Sequence, residues 1–232
     1  MARILVTGAN RGLGLEFVRQ LGARGDTVWA TCRDPDAATE LNALASDRVR
    51  IVQLDTSDEA SIAQARETVG GQTNALDVLI NNAGTSSARA DRLNDGTLTF
   101  DDGLAVMRTN AFGPVLVTQA FRDLLRAGEN ARVVNVSSGY GSLTHAGAGW
   151  PYYYCASKAA LNMFTRIAAG DLKNDNVTVI AMDPGWVKTD MGGANAQLTP
   201  EQSIKGMLNA IDGLTQDSSG RFFTWQGSEA AW

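Results

Sequence analysis

The sequence predicts an α/β fold: a doubly wound, Rossmann-like parallel sheet of about seven strands, with helices on both faces, in one domain over residues 1–232. Three observations lead there. Apolar, β-branched runs alternate with helix-period segments almost from end to end. The strand candidates are continuously apolar, the pattern of strands covered on both faces. A glycine-rich turn follows the first strand and opens a helix. In order, "RILVTG" (3–8) reads as a strand and "GLGLEFVRQLGARG" (12–25) as a helix ending on Gly25. "DTVWATC" (26–32) is the second strand, and "DPDAATELNALA" (34–45) a short helix with Pro35 in its first turn. "RVRIVQLD" (48–55) is the third strand, followed by a helix over 56–70 that opens on a Ser57-Asp58 cap signal. "LDVLINNAG" (76–84) is the fourth strand, and one long helix is expected over 100–127. "ARVVNVSS" (131–138), the helix over 152–172 and "VTVIAMDPG" (177–185) come next. A helix over 199–214, with Pro200 near its start, and a seventh strand in "GRFFTW" (220–225) complete the chain. Gly/Ser/Thr-rich stretches at 84–99, 138–149 and 185–199 each follow a strand, so they converge on the rim where such folds bind ligands.

Composition narrows the function classes. The chain is 44% hydrophobic with a net charge of −5, and its pI is about 4.9. An acidic surface argues against nucleic acid and anionic membrane as partners. No apolar run approaches the roughly 20 residues that span a bilayer, and a strand that starts within "MARILVTG" leaves no room for a signal peptide. Two cysteines, Cys32 and Cys155, and one histidine, His145, give neither a disulfide framework nor a metal site. A cytoplasmic setting is expected.

"TGANRGLG" (7–14) places Gly8, Asn10, Arg11, Gly12, Leu13 and Gly14 between a strand and a helix start, where backbone N–H groups can cradle a phosphate. The tip of the second strand distinguishes cofactors: a carboxylate there would bind a ribose 2′-OH, and an arginine a 2′-phosphate. Here Cys32 is followed by Arg33, and Arg11 lies in the glycine loop, a pair that favours NADP(H). The competing reading is two surface arginines, with Arg33 paired to Asp34 or Asp36. Asp55, with Thr56 beside it in the cofactor set, ends the third strand; its carboxylate would either accept from an adenine amino group or cap the next helix.

Further segments join "TGANRGLG" in a fixed order: "NNAG" (81–84), "TNAFG" (109–113), "VVNVSS" (133–138), "YCASK" (154–158) and "PGWVKTDM" (184–191). On these the chain resembles the short-chain dehydrogenase/reductase family in its short single-domain form. The last segment and Trp232 resemble sniffer-like carbonyl reductases and bacterial C-factor proteins. The resemblance implies a catalytic tetrad of Asn110, Ser138, Tyr154 and Lys158. It also implies cofactor contacts from Asn82, Ala83, Gly84, Pro184, Gly185, Val187 and Thr189, with Tyr154 and Lys158 among them.

The residues supply their own chemistry. "PYYYCASK" (151–158) holds three tyrosines, and a helix advances about 100° per residue, so only Tyr154 lies within about 40° of Lys158. An adjacent ammonium is expected to lower the phenol's pKa toward a useful range for proton exchange. Tyr152 and Tyr153 are expected to line the pocket or pack on neighbours. Ser138 can donate to a carbonyl oxygen as charge develops there. Its rival Ser137 would point to the opposite face of a continuing strand, and the family pattern favours Ser138. Pro114 cannot donate to the carbonyl of Asn110, so the helix is expected to bend there, and the freed carbonyl to hold a water that links Lys158 to solvent. Tyr140, Trp150 and Trp186 are expected to line an aromatic substrate pocket, with His145 as an exposed loop residue.

These readings give an NADPH-dependent reductase of an aldehyde, ketone or quinone. The rivals are a cofactor-binding signalling protein of C-factor type and a sugar-nucleotide epimerase, for which the short C-terminal region leaves little room. Apolar residues on several faces of the helices near 112–127 and 152–170 (Phe112, Val115, Leu116, Phe121, Met163, Phe164, Ile167) predict a homodimer or homotetramer.

Overall fold

The structure is a computed structural model that describes residues 1–87 and 91–232. The rim segment 84–99 therefore contains three positions, 88–90, that lie outside the described residues. Strands β1 (Arg3–Val6), β2 (Thr27–Cys32), β3 (Val49–Gln53), β4 (Val78–Asn81), β5 (Arg132–Val136), β6 (Thr178–Asp183) and β7 (Phe222–Thr224) form one sheet in the order β3-β2-β1-β4-β5-β6-β7. Every pairing is parallel.

The register shows why these strands read as continuously apolar. Trp29, Leu5, Leu79, Val133 and Val179 align across five strands and enter one core. Their neighbours Ala30, Val6, Ile80, Val134 and Ile180 align on the opposite face and enter the other. Successive side chains alternate faces, so a sheet covered twice needs apolar residues at both phases. Helices α1 (Gly12–Arg24) and α7 (Pro200–Asp212) cover one face through Phe17, Leu21, Met207 and Ile211. Helices α3 (Glu59–Gly70) and α5 (Gly113–Arg126) cover the other through Ile62, Val69, Val117 and Phe121. Burying each of these larger side chains contributes roughly 1.5–3 kcal/mol.

Local signals set the helix ends. Gly25 closes α1 in the left-handed region, φ 87°, which glycine adopts without penalty. Asp58 caps α3 by accepting from the Ala60 N–H. Thr199 and Gln202 form a reciprocal capping box on α7, with Pro200 in its first turn.

Two expected helices differ from the structure. The segment 34–45 holds only a four-residue helix, α2 (Thr39–Asn42), and Pro35 lies outside it. There the Asp34 carboxylate accepts from the Ala37 N–H and Asn42 Nδ2 donates to the Pro35 carbonyl, so side chains satisfy the backbone in a turn. The single helix expected over 100–127 is α4 (Phe100–Met107), a five-residue π-helix (Arg108–Phe112) and α5. The π turn falls just before Pro114, whose ring nitrogen offers no donor to the previous turn. The last long helix, α6 (Tyr152–Asp171), packs along β6 and the π turn.

Candidate active site

β1 and β4 are neighbouring inner strands, flanked on opposite sides by β2 and β5, so the strand order reverses between them. Ligands of such sheets bind at the carboxyl ends of strands at this point. There the glycine loop and the "NNAG" turn are fastened together. Thr7 Oγ1 accepts from the N–H groups of Asn82 and Ala83, both at 3.0 Å. Asn82 Nδ2 donates to the carbonyls of Thr7 (2.9 Å) and Gly8 (3.1 Å). Gly8 has φ 65°, and a Cβ there would lie 2.8 Å from Ala83 Cα, so side-chain space is absent. The Asn82 amide is thus committed to the shape of the loop.

The start of α1 is open. Arg11 is its N-cap residue and makes no side-chain capping bond, and no acidic residue lies in the first turn. The first N–H groups of a helix lack internal partners and carry partial positive charge, a fit for a phosphate. Gly12, φ 55°, lies against Thr189, 3.5 Å from where a Cβ would be, which brings the segment after β6 over the same loop. Arg11 Nη1 pairs with Asp190 Oδ2 of that segment at 2.9 Å in the open. Arg33 is exposed at the tip of β2. Among the described residues it pairs with neither Asp34 nor Asp36. Asp55 does not cap α3, a task Asp58 performs. Its carboxylate instead accepts from the N–H and hydroxyl of Ser57. Thr56 is buried and its carbonyl packs against Gly113.

At the ends of β5 and β6 the ionisable groups gather. Ser137 is buried and its hydroxyl donates to Asn162 Oδ1 at 2.6 Å, pointing away from the rim. Ser138 lies near the phenol of Tyr154 and works to lower its pKa. Its Oγ also accepts from the Tyr140 N–H. Lys158 is buried one helical turn beyond Tyr154, with Nζ donating to the Val136 carbonyl at 2.8 Å. It lies over the Tyr154 ring, 5.8 Å from the centroid.

Burial pushes Tyr154 up to about 12, with the Ser138 hydrogen bond acting against it and Asp183 adding to it. The expectation that Lys158 lowers this phenol is corrected. Its ammonium is directed to a carbonyl and sits over the ring face, so desolvation of the phenolate prevails. Burial lowers Lys158 itself to about 8, opposed by Asp183.

The other two tyrosines are placed as helical geometry predicts. Tyr153 donates its hydroxyl to the Thr99 carbonyl at 2.6 Å and packs its ring on Gly103. Tyr152 is half exposed. Tyr140 stands edge-on to Trp150 (4.5 Å) and to Tyr154 (6.2 Å), giving an aromatic wall beside the phenol. Trp186 is exposed, and its indole N–H donates to the Gly192 carbonyl at 2.7 Å, folding the segment after β6 on itself. His145 is exposed. A cavity of about 720 Å³ lies away from these groups, among Thr56, Leu104, Arg108, Phe112, Val115 and Phe164.

Asn110 is wholly buried in the π turn. Its Oδ1 accepts from the Thr85 N–H and its Nδ2 donates to the Thr85 carbonyl, both at 2.8 Å, as a strand partner would. Nδ2 also donates to Ser157 Oγ at 3.0 Å. A Cβ on Gly84 would lie 3.6 Å from Asn110 Oδ1 and 3.7 Å from Lys158 Nζ, so backbone at the exit of β4 separates the two.

Pro184 accepts from the buried Ser203 hydroxyl at 2.7 Å, and Val187 is buried, which fixes the segment after β6 to α7. Gly185, φ 77°, packs against Leu198 and Trp225. Asp183, directly before Pro184, is a carboxylate that the sequence reading passed over. The signal was available: an acidic residue at the carboxyl tip of a strand on the binding rim. Burial raises its pKa, opposed by the N–H groups of Gly185 and Gly139 and by Lys158.

A parallel doubly wound sheet with an open glycine turn and a Tyr–Lys–Ser cluster on the same rim defines the class of the nucleotide-dependent oxidoreductases. The chain belongs to the short-chain dehydrogenase family, whose model matches residues 2–199. It is 44% identical over 160 residues to the C-signal protein of Myxococcus xanthus, covering 69% of this chain and 95% of that one. Among solved structures it is similar to the NADPH-bound carbonyl reductase from chicken fatty liver, at TM-score 0.93 and 39% identity, covering 100% and 99% of the two chains. It is also similar to the carbonyl reductase Sniffer of D. melanogaster, at TM-score 0.94 and 32% identity over the whole of both chains. Among the described residues no helix is long and apolar enough to cross a membrane.

Proposed function

We propose that this protein is an NADPH-dependent carbonyl reductase acting on an aldehyde, ketone or quinone. The observation that carries the reading is the grouping of Ser138, Tyr154 and Lys158 on one rim: Tyr140 donates its N–H to Ser138 and stands edge-on to Tyr154, and Lys158 lies over the Tyr154 ring. The open start of α1 with Gly8, Asn10, Arg11, Gly12, Leu13 and Gly14 would hold the pyrophosphate, and Asp55 and Thr56 would flank the adenine. Asn82, Ala83, Gly84, Pro184, Gly185, Val187 and Thr189 would shape the nicotinamide end. Exposed Arg33, which among the described residues forms no ion pair, favours a 2′-phosphate over a bare ribose. Bound there, the dinucleotide supplies hydride. Ser138 orients the carbonyl oxygen, and Tyr154, held protonated by its high pKa, donates a proton to it. Lys158, beside Tyr154 on α6, would hydrogen-bond the nicotinamide ribose, and the Asn110 carbonyl, without an N–H donor from Pro114, is assigned to a water that returns the proton. Tyr140, Trp150 and Trp186 would contact the substrate.

Similarity to C-signal favours a second reading, cofactor binding without turnover. The two part on one assay. Carbonyls of each class are mixed with the enzyme and NADPH or NADH, and loss of reduced-cofactor absorbance is followed. Turnover with NADPH supports the reductase; tight cofactor binding with no turnover across the panel supports the second reading. We also propose a homodimer through α5 and α6, a soluble protein of the cytoplasm. Phe112, Val115, Met163 and Ile167 stand exposed there, whereas Phe121, expected at this face, is fully buried in the core.

A further inference from the structure

We propose that Asp183 is a positioning residue of this site: its negative charge balances the buried Lys158 ammonium, and its carboxylate ties the Ser138 loop to the segment that follows β6. The geometry is local and specific. Asp183 ends β6, and its Oδ1 accepts from the Gly185 N–H at 3.1 Å. Its Oδ2 lies 3.6 Å from where a Cβ on Gly139 would be, so the carboxylate reaches the start of the Ser138 loop, whose Gly139 backbone favours its charged form. One side chain therefore joins the two loops that bound the substrate side of the rim. Lys158 Nζ donates to the carbonyl of Val136, which lies in register with Met182, the residue before Asp183, so the ammonium sits at the tip of the same strand pair, and the charge of Asp183 acts on both Lys158 and Tyr154.

The charges around it are few. Among the described residues Asp183 is the one charge that acts on the Lys158 pKa, and the ammonium otherwise meets the neutral Val136 carbonyl and the face of the Tyr154 ring. The groups acting on Tyr154 are Ser138, Asp183, Cys155 and Tyr140. An isolated buried ammonium releases its proton readily, and a nearby carboxylate holds it. Burial lowers Lys158 to about 8, and Asp183 is what opposes the fall. With the carboxylate charge removed, burial acts alone and Lys158 loses its proton at lower pH. The role in turnover rests on the reductase reading above; the effect on Lys158 does not.

The chain has four lysines, Lys158, Lys173, Lys188 and Lys205, so a lysine-labelled sample gives few resonances to follow. Titration of the full chain carrying ¹³C at lysine Cε, with Lys158→Arg to assign the signal, reads the group without turnover. Asp183→Asn keeps an acceptor for the Gly185 N–H and removes the charge. The expected result is a Lys158 midpoint about one pH unit lower, with the other three lysines unmoved. The alkaline limb of the kcat profile should move the same way. Asp183→Glu, which keeps the charge, should restore both. A Lys158 titration in Asp183→Asn that coincides with the parent's overturns the proposal. Absence of carbonyl turnover in the parent would remove the reductase reading, while the lysine titration would still decide this one.

Discussion

Replacing Asn110 with alanine separates a clip from a proton path. The side chain makes three hydrogen bonds, two to the backbone of Thr85 and one to Ser157 Oγ. A neutral hydrogen bond contributes about 0.5–1.5 kcal/mol net, so the three together are worth about 3 kcal/mol. Thr85 is partly exposed, and its freed N–H and C=O regain some water. The expected loss is therefore about 2–3 kcal/mol, a large share of the roughly 5–15 kcal/mol that stabilises a domain. Urea unfolding followed by tryptophan fluorescence measures it as a lower midpoint with an unchanged slope. The truncation leaves the Asn110 backbone carbonyl in place, so a water bound there survives if the π turn does. A destabilisation below about 0.5 kcal/mol would refute the clip, since less than one ordinary hydrogen bond would then have been lost.

Tyr154→Phe should abolish most turnover and keep cofactor affinity, whereas Tyr153→Phe should stay active and lose about 1 kcal/mol with its Thr99 bond; a dead Tyr153→Phe would reverse the assignment. Arg33→Ala should weaken NADPH by about tenfold or more and leave NADH little changed, because a charged hydrogen bond is worth roughly 1.5–3 kcal/mol. Equal weakening of the two, by isothermal titration, would remove Arg33 from phosphate recognition. Lys158 has a folded pKa of about 8, below its unfolded value of 10.5, so the unfolded state binds more protons between those limits. Its contribution to stability therefore rises with pH through that window. Lys158→Met should lack this rise in chemical-denaturation series from pH 7 to 9, and parallel profiles would contradict the buried charge. Light scattering at micromolar concentration should give twice the chain mass, and a monomer mass would count against pairing through α5 and α6.

Much of the sheet was legible because burial on both faces makes each strand apolar at both phases, as the aligned rows through Leu5 and Val6 show. The Tyr154–Lys158 face followed from helical periodicity alone. The π turn at Arg108–Phe112 was foreshadowed only by Pro114, which announces a missing donor and not the form the backbone takes instead. The helix expected at 34–45 failed because Asp34 and Asn42 compete for backbone groups, an outcome decided by side-chain reach. The electrostatics were the least legible. The Arg11–Asp190 pair spans 179 positions, and the rise of Tyr154 depends on how deeply the fold buries it. Phe121 shows the same limit in packing: an apolar residue on a helix does not reveal which of two apolar surfaces it enters.

The place of β1 inside the sheet, between β2 and β4, has a kinetic consequence. Its partner β4 begins about 75 residues later, and the two are clasped at their start by Asp77, which accepts from the backbone and guanidinium of Arg3 and from the Glu129 N–H. During synthesis the first strand can pair with β2 early, but its other edge waits for β4. Until then that edge and the apolar row through Leu5 are exposed, the condition in which a strand is recruited by a neighbouring chain. Closure of long loops makes such assembly slow. Asp77 joins residues from three successive parts of the chain, so it reports when this wait ends. Loss of its carboxylate should show first as a slower refolding phase and lower yield at high concentration, before any change appears in the finished site.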